Sequence, residues 1–225
     1  YVLEANPRAS RTVPFVSKAT GVALAKAAAL ISVGKTIGEL RISGHLPLLD
    51  TGLIPQGGIA VKEAVLPWNR FRKPDGSGVE SLLGPEMKST GEVMGIDKTF
   101  GAAYAKSQIA AFGPLPTSGA IFISVADRDK RAMVVPASRL IDLGFALVAT
   151  QGTLEVLAKH GIPARLVPKE SEGRSEESIS ALIARGEISL VVNTPVGSGP
   201  RRDGWRIRTA AITRGVPCIT TIQGF

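Results

Sequence analysis

The sequence predicts an α/β protein. Its second half is a doubly wound parallel sheet covered by helices on both faces, and a less regular α+β region precedes it. Three observations carry this prediction. A Gly/Pro/Ser cluster, Gly113-Pro114-Leu115-Pro116-Thr117-Ser118-Gly119, has the composition of a domain boundary. After it, five short β-rich apolar runs alternate with four stretches of helical pattern. Before it, the periodic segments are interrupted by long Gly/Pro-rich loops.

In the first region, residues 2–5 alternate apolar and polar and read as a strand. The chain then passes through a turn to a helix at about residues 21–33. The apolar run Val22 to Val33, with Lys26 inside it, reads as a buried amphipathic helix. A loop from Gly44 to Gly58 precedes a strand at residues 59–66. Arg72-Lys73-Pro74-Asp75-Gly76-Ser77-Gly78 is an exposed turn, and a helix over residues 98–112 follows Gly95-Ile96-Asp97.

In the second region the strands are expected at residues 120–125, 145–149, 164–167, 188–192 and 217–222. The helices between them are expected near residues 136–143, 153–159, 176–185 and 204–214. Pro136 belongs in a first helical turn, where its missing N–H costs nothing.

A length of 225 residues allows one large or two small domains, and 44% apolar with 20% charged residues is ordinary for a globular protein. No apolar run reaches the roughly 20 residues that span a bilayer, and the first residues lack the basic start and apolar stretch of a secretion signal. The single Cys218 excludes an internal disulfide framework and fits a reducing cytoplasm; its apolar surroundings, Val216 to Thr221, predict a buried, inert thiol. The chain has no initial Met and opens inside a strand-like alternation that lacks a partner, so a piece of a longer protein is expected.

The net charge of +8 raises the question of nucleic acid. Residues 1–112 hold 13 Lys/Arg against 9 Asp/Glu, and residues 113–225 hold 14 against 10. The excess is therefore +4 in each half, scattered among acids and with few aromatics to stack on bases. A solvated surface accounts for it, and no nucleic acid or membrane is expected as a partner.

Ligands of open parallel sheets bind beyond the carboxyl ends of the strands. There the expected strands place Ser124 followed by Asp127-Arg128-Asp129-Lys130, then Thr150-Gln151-Gly152-Thr153 at a helix start, then Lys169, then Asn193-Thr194. Hydroxyls and a helix N-terminus suit a phosphate dianion, because orphan N–H groups and the helix dipole favour negative charge. Lys130 and Lys169 would neutralise it. Taken singly, Thr150, Thr153 and Asn193 read equally as helix caps; the whole set on one edge favours a phosphate site. Chemistry on a phosphorylated substrate needs a poised acid or base. The chain has only His45 and His160, and His160 falls at the end of a helix. Binding without catalysis is expected.

Two longer stretches carry a resemblance. The run from Glu4 to Gly21 and the run from Gly84 to Gly95 resemble the end of the second ATP-grasp unit in the carbamoyl phosphate synthetase large-subunit family. The regular region that follows is similar to the Rossmann-like, methylglyoxal-synthase-like domain that ends this subunit. The resemblance covers essentially the whole chain. It implies residues 1–112 as the C-terminal portion of the carbamoyl-phosphate-forming ATP-grasp domain and residues 113–225 as the allosteric domain.

By that resemblance Glu4 and Asn6 coordinate the Mg2+ or Mn2+ that ATP carries, and Arg8 contacts the carbamate being phosphorylated. A carboxylate and an amide oxygen are hard donors suited to Mg2+, and a strand places residues i and i+2 on one face. Arg11, Lys62 and Glu92 match positions lining the path of carbamate, although surface salt bridges would leave the same trace. Lys130, Thr150, Thr153, Lys169 and Asn193 match positions that bind a UMP- or IMP-type effector. The resemblance also implies partners: the rest of the large subunit, a glutaminase small subunit and further copies in a homo-oligomer. The implied product serves pyrimidine and arginine biosynthesis.

The sequence departs from the bacterial pattern in two places. Pro195 stands where a second threonine usually follows Asn-Thr. Cys218-Ile219-Thr220 replaces a Tyr-Asp-Thr that helps to hold ornithine; Glu63 is retained from that site, but Ile219 cannot accept a hydrogen bond from an ammonium. Two other classes remain as alternatives: a stand-alone methylglyoxal-synthase-type lyase, which lacks its His and Asp set here, and a pure interaction module.

Overall fold

The computed structural model describes residues 1–225 apart from 3, 4, 6, 9, 49–57, 72–86, 169–175 and 195–201. It divides into two units, Tyr1–Leu66 with Ser89–Gly113, and Pro67–Lys88 with Pro114–Phe225.

In the first unit, helices α1 (Thr12–Thr20), α2 (Leu24–Ser32) and α3 (Ile37–Ile42) precede strand β1 (Ile59–Val65), strand β2 (Gly91–Asp97) and helix α4 (Phe100–Phe112). β1 and β2 pair antiparallel, with Lys62 opposite Met94 and Glu63 opposite Val93, and α4 packs across both. Gly95 makes that packing possible, because a Cβ there would collide with the Ala103 carbonyl and the Ser107 amide. Thr99 caps α4 by accepting from the Ala102 amide at 3.3 Å.

Several expectations for this unit are corrected. The described residues Val2 and Ala5 belong to no strand. Both are exposed, and no neighbouring strand among the described residues offers a ladder for them. The turn expected after them is the helix α1. Pro14 sits in its first turn, where no amide donor is needed, and Gly21 at φ 72° ends it in the left-handed conformation. α3 was likewise unforeseen; a reciprocal capping box between Thr36 and Glu39 starts it. β2 is a strand the apolar pattern did not disclose, because pairing with β1 rather than a run of β-branched residues creates it. α2 is amphipathic in pattern but not buried: only Ala27 is, while Ile31 and Val33 are exposed. The exposed turn expected at residues 72–78 lies outside the described residues.

The second unit is the parallel sheet that the sequence predicts. Strands β3 (Ala120–Ser124), β4 (Ala146–Ala149), β5 (Arg165–Leu166), β6 (Leu190–Asn193) and β7 (Cys218–Ile219) alternate with helices α5 (Val134–Asp142), α6 (Gln151–Lys159), α7 (Ile179–Ala184) and α8 (Arg202–Arg214). The strand order is β5-β4-β3-β6-β7, and every pairing is parallel.

The two-residue period of a strand explains why both faces are covered. Ile121, Ile123, Leu147, Ala149, Leu190 and Val192 enter one core with α5 and α6 residues such as Ala137 and Leu157. The residues between them, Phe122, Val148 and Val191, enter a second core with Ile179, Leu182, Ile183, Ile207 and Ala211 from α7 and α8. Pro136 falls in the first turn of α5, as its missing donor requires. Among the described residues, no single helix is long and apolar enough to cross a membrane.

Candidate functional site

The chain runs outward from β3 through β4 to β5, then returns to β6 on the other side of β3. That order creates a topological switch between the carboxyl ends of β3 and β6, the place where open parallel sheets bind ligands. Ser124 and Asn193 are register partners there. Asn193 Nδ2 donates to the Ser124 carbonyl at 3.2 Å, and Ser124 Oγ lies 3.2 Å from Thr150 Oγ1. Thr153 Oγ1 accepts from the Val125 amide at 3.5 Å. Thr194 Oγ1 accepts from the Ala126 amide at 2.8 Å. All four of Thr150, Thr153, Asn193 and Thr194 are buried.

Helix capping does not describe these side chains. Thr150 holds the N-cap position of α6 with extended backbone, but its hydroxyl makes no cap bond and turns to Ser124 instead. Thr153 lies inside the first turn of α6 and serves the backbone that follows β3. Asn193 accepts from Arg208 Nη1 at 2.8 Å while donating to Ser124. Elsewhere the sequence does use ordinary caps: Ser178 accepts from the Ala181 amide at the start of α7.

Lys130 follows a 3₁₀ turn, Asp127–Asp129, beyond β3. Its Nζ stands 2.7 Å from Asp127 Oδ1, and a Cβ added to Gly152 would lie 3.0 Å from it. The ammonium therefore overlies the first turn of α6, whose N-terminus is itself the positive end of a helix dipole. Two positive features side by side favour an anion, and Asp127 is the carboxylate that answers them. A hydrogen bond from Lys130, then its charge, holds the Asp127 carboxyl below the ordinary carboxylate range.

The structure thus brings Lys130, Thr150, Thr153 and Asn193 to one edge of one sheet. Lys169 lies outside the described residues, as do Glu4 and Asn6. Arg8 is exposed in the segment before α1. In the first unit, Arg11 donates to the Ser89 carbonyl at 3.4 Å, and Lys62 donates to Thr12 Oγ1 at 3.1 Å and to Glu92 Oε1 at 3.4 Å. Lys62 and Glu92 thus pair, whereas Arg11 reaches Ser89. Glu63 accepts from Gln108 Nε2 at 2.8 Å, and Ile219 packs against the first core of the second unit.

His160 ends α6, its Nδ1 2.8 Å from the Val156 carbonyl. Nine helical residues rising about 1.5 Å each separate it from Thr150, so it cannot serve as an acid or base at the strand ends. Burial pushes the Cys218 thiol up to about 11, which keeps it protonated and unreactive at neutral pH. Sequence reasoning placed Gly152 at the start of a helix without seeing that it gives Lys130 room, and it missed Arg208 and the space that Gly204 leaves for it. Fifteen residues separate Asn193 from Arg208, and no local pattern links them.

Residues 132–220 match the family model described as MGS-like domain, and residues 1–40 match that described as carbamoyl-phosphate synthase L chain, ATP binding domain. Along 99% of its length the chain is 62% identical to the carbamoyl phosphate synthase large chain of Streptomyces coelicolor. It is 59% identical over 100% of its length to that of Beutenbergia cavernae, and 58% identical over 100% to that of Mycobacterium tuberculosis H37Rv. In each case the match spans 21% of the relative's length.

Proposed function

From the premise that the chain belongs to the carbamoyl phosphate synthase large-chain family, we propose that it joins the end of the carbamoyl-phosphate-forming ATP-grasp domain, residues 1–112, to a nucleotide-sensing domain, residues 113–225. The reaction is phosphorylation of carbamate by ATP to give carbamoyl phosphate and ADP. Arg8 binds the carbamate oxyanion. Glu4 and Asn6 offer the hard oxygen donors that suit Mg2+ or Mn2+; when bound, the metal neutralises charge on the transferred phosphoryl group. The rest of the large subunit, a glutaminase small subunit and further copies of the chain complete the enzyme. It works in the cytoplasm and feeds pyrimidine and arginine biosynthesis. The 225-residue chain by itself makes no carbamoyl phosphate, and detectable ATP-dependent synthesis by the purified chain would refute that.

The second domain binds a UMP- or IMP-type effector through Lys130, Thr150, Thr153, Lys169 and Asn193. The observation that supports this reading is the meeting of Ser124, Thr150, Thr153 and Asn193 at the β3/β6 switch beneath the Lys130 ammonium. Calorimetric titration with UMP, IMP and ornithine in turn tests it. A nucleotide should bind saturably and ornithine should give no heat, since Ile219 offers no acceptor for its ammonium. Silence from both nucleotides would overturn the reading. A methylglyoxal-forming lyase would need a base at this edge. Assay with dihydroxyacetone phosphate should yield no methylglyoxal.

A further inference from the structure

Asn193 ends β6 at the switch between β3 and β6, and its side-chain amide has two faces of opposite character. Rotated one way it offers N–H donors to a ligand; rotated the other way it offers a carbonyl oxygen, which repels an anion. Two neighbours decide which face is shown. The Ser124 carbonyl can only accept, and it takes an Nδ2 hydrogen at 3.2 Å. The Arg208 guanidinium can only donate, and its Nη1 is 2.8 Å from Asn193 Oδ1. Neither bond survives a flip of the amide. The oxygen is thereby turned to Arg208, and among the described residues the second Nδ2 hydrogen meets no acceptor, so it is left to donate to a ligand.

Gly204 adds a separate observation. It lies within α8, one turn before Arg208, where glycine weakens a helix relative to alanine. It has no positive φ that would call for glycine. A Cβ there would stand 2.8 Å from Arg208 Nη1 and 3.1 Å from Asn193 Oδ1, so space for this hydrogen bond accounts for it.

We propose that Arg208 is a positioning residue of the effector site: admitted by Gly204, it locks the Asn193 amide with its donor side toward a phosphate monoester. This rests on the reading of the β3/β6 edge as a nucleotide site. Arg208 acts on the ligand only through Asn193, so its effect must vanish when Asn193 is removed.

The test combines UMP titrations of the wild-type chain, R208M, R208K, N193A, G204A and the double variant R208M/N193A with a spectroscopic reading of the amide. The chain has three asparagines, Asn6, Asn69 and Asn193, so selective 15N-asparagine labelling gives three side-chain amide signals to follow. R208M should weaken UMP binding about tenfold and move the Asn193 signal. R208K, which keeps a donor, should recover part of both. G204A should reproduce R208M. In the N193A background R208M should cause no further loss. Equal losses in both backgrounds would overturn the proposal, because Arg208 would then contact the ligand directly. So would an Asn193 signal that ignores R208M. Failure of the wild-type chain to bind UMP or inorganic phosphate would defeat the site reading and, with it, any role in recognition. The amide signal would still report whether Arg208 orients Asn193, so the two failures are distinguishable.

Discussion

Lys130 and Asp127 form an ion pair at 2.7 Å whose two sides are unequally exposed: the lysine side chain is 23% exposed and the aspartate 93%. The ammonium is settled in the fold beside the start of α6, while its counter-charge stands in solvent. A phosphate arriving at the β3/β6 edge therefore competes with a weakly held, easily displaced carboxylate.

Asp127→Asn should strengthen UMP binding about two- to fivefold, in keeping with the small worth of exposed pairs, and Lys130→Met should weaken it. The carboxyl is depressed by Lys130, so the pair is intact at neutral pH and is lost only as pH falls through that lowered value. The gain from D127N should accordingly be full at neutral pH. Calorimetry on both variants decides this, and an unchanged affinity in D127N would show that Asp127 is no competitor.

Thr150→Val keeps the shape of the side chain and removes the hydroxyl shared with Ser124. It should lower stability by about 1 kcal/mol, the usual net worth of one hydrogen bond. It should weaken UMP binding about tenfold. Denaturant unfolding and titration read the two effects separately; full affinity in T150V would remove Thr150 from the site.

Gly95→Ala should destabilise the first unit by about 1–3 kcal/mol, since the added methyl is driven into the Ala103 carbonyl and the Ser107 amide. Phe122→Ala should be worse, about 3–5 kcal/mol, because Phe122 is fully buried between β3 and the α7–α8 layer. Urea midpoints measure both. A neutral G95A would mean that β2 and α4 do not approach as described.

Cys218 sets an alkaline limit. Its folded pKa, about 11, lies above the ordinary thiol value of 9.0 because burial disfavours the thiolate. A raised value means that the stabilisation is complete below about 9 and is lost as pH climbs towards 11. The loss amounts to roughly 2–3 kcal/mol. Unfolding of the wild type and of C218A between pH 7 and 11 should show a steeper alkaline decline in the wild type. Parallel profiles would contradict the burial of the thiol.

The second unit was nearly complete in its sequence, and the reason is local. Runs such as Ile121-Phe122-Ile123 and Leu190-Val191-Val192 are apolar at every position, which only a strand covered on both faces requires. Glycines, prolines and capping residues between them mark the helices. Once the strands are placed, their carboxyl ends single out Lys130, Thr150, Thr153 and Asn193 as a group. The first unit was less legible. α1, α3 and β2 went unread because a first-turn proline, a capping box and a pairing partner create them, not an apolar period.

What the sequence determined by itself was the fold class, the strand positions and the cluster of polar residues at their tips, because these follow from side-chain periodicity along a few neighbouring residues. Only the tertiary structure decided that the switch lies between β3 and β6, that Thr150 turns from its helix to Ser124, and that Arg208 holds Asn193. Those relations join residues 15 to 69 positions apart. Strand order and helix docking bring such residues within hydrogen-bond reach, and no pattern along the chain encodes that distance.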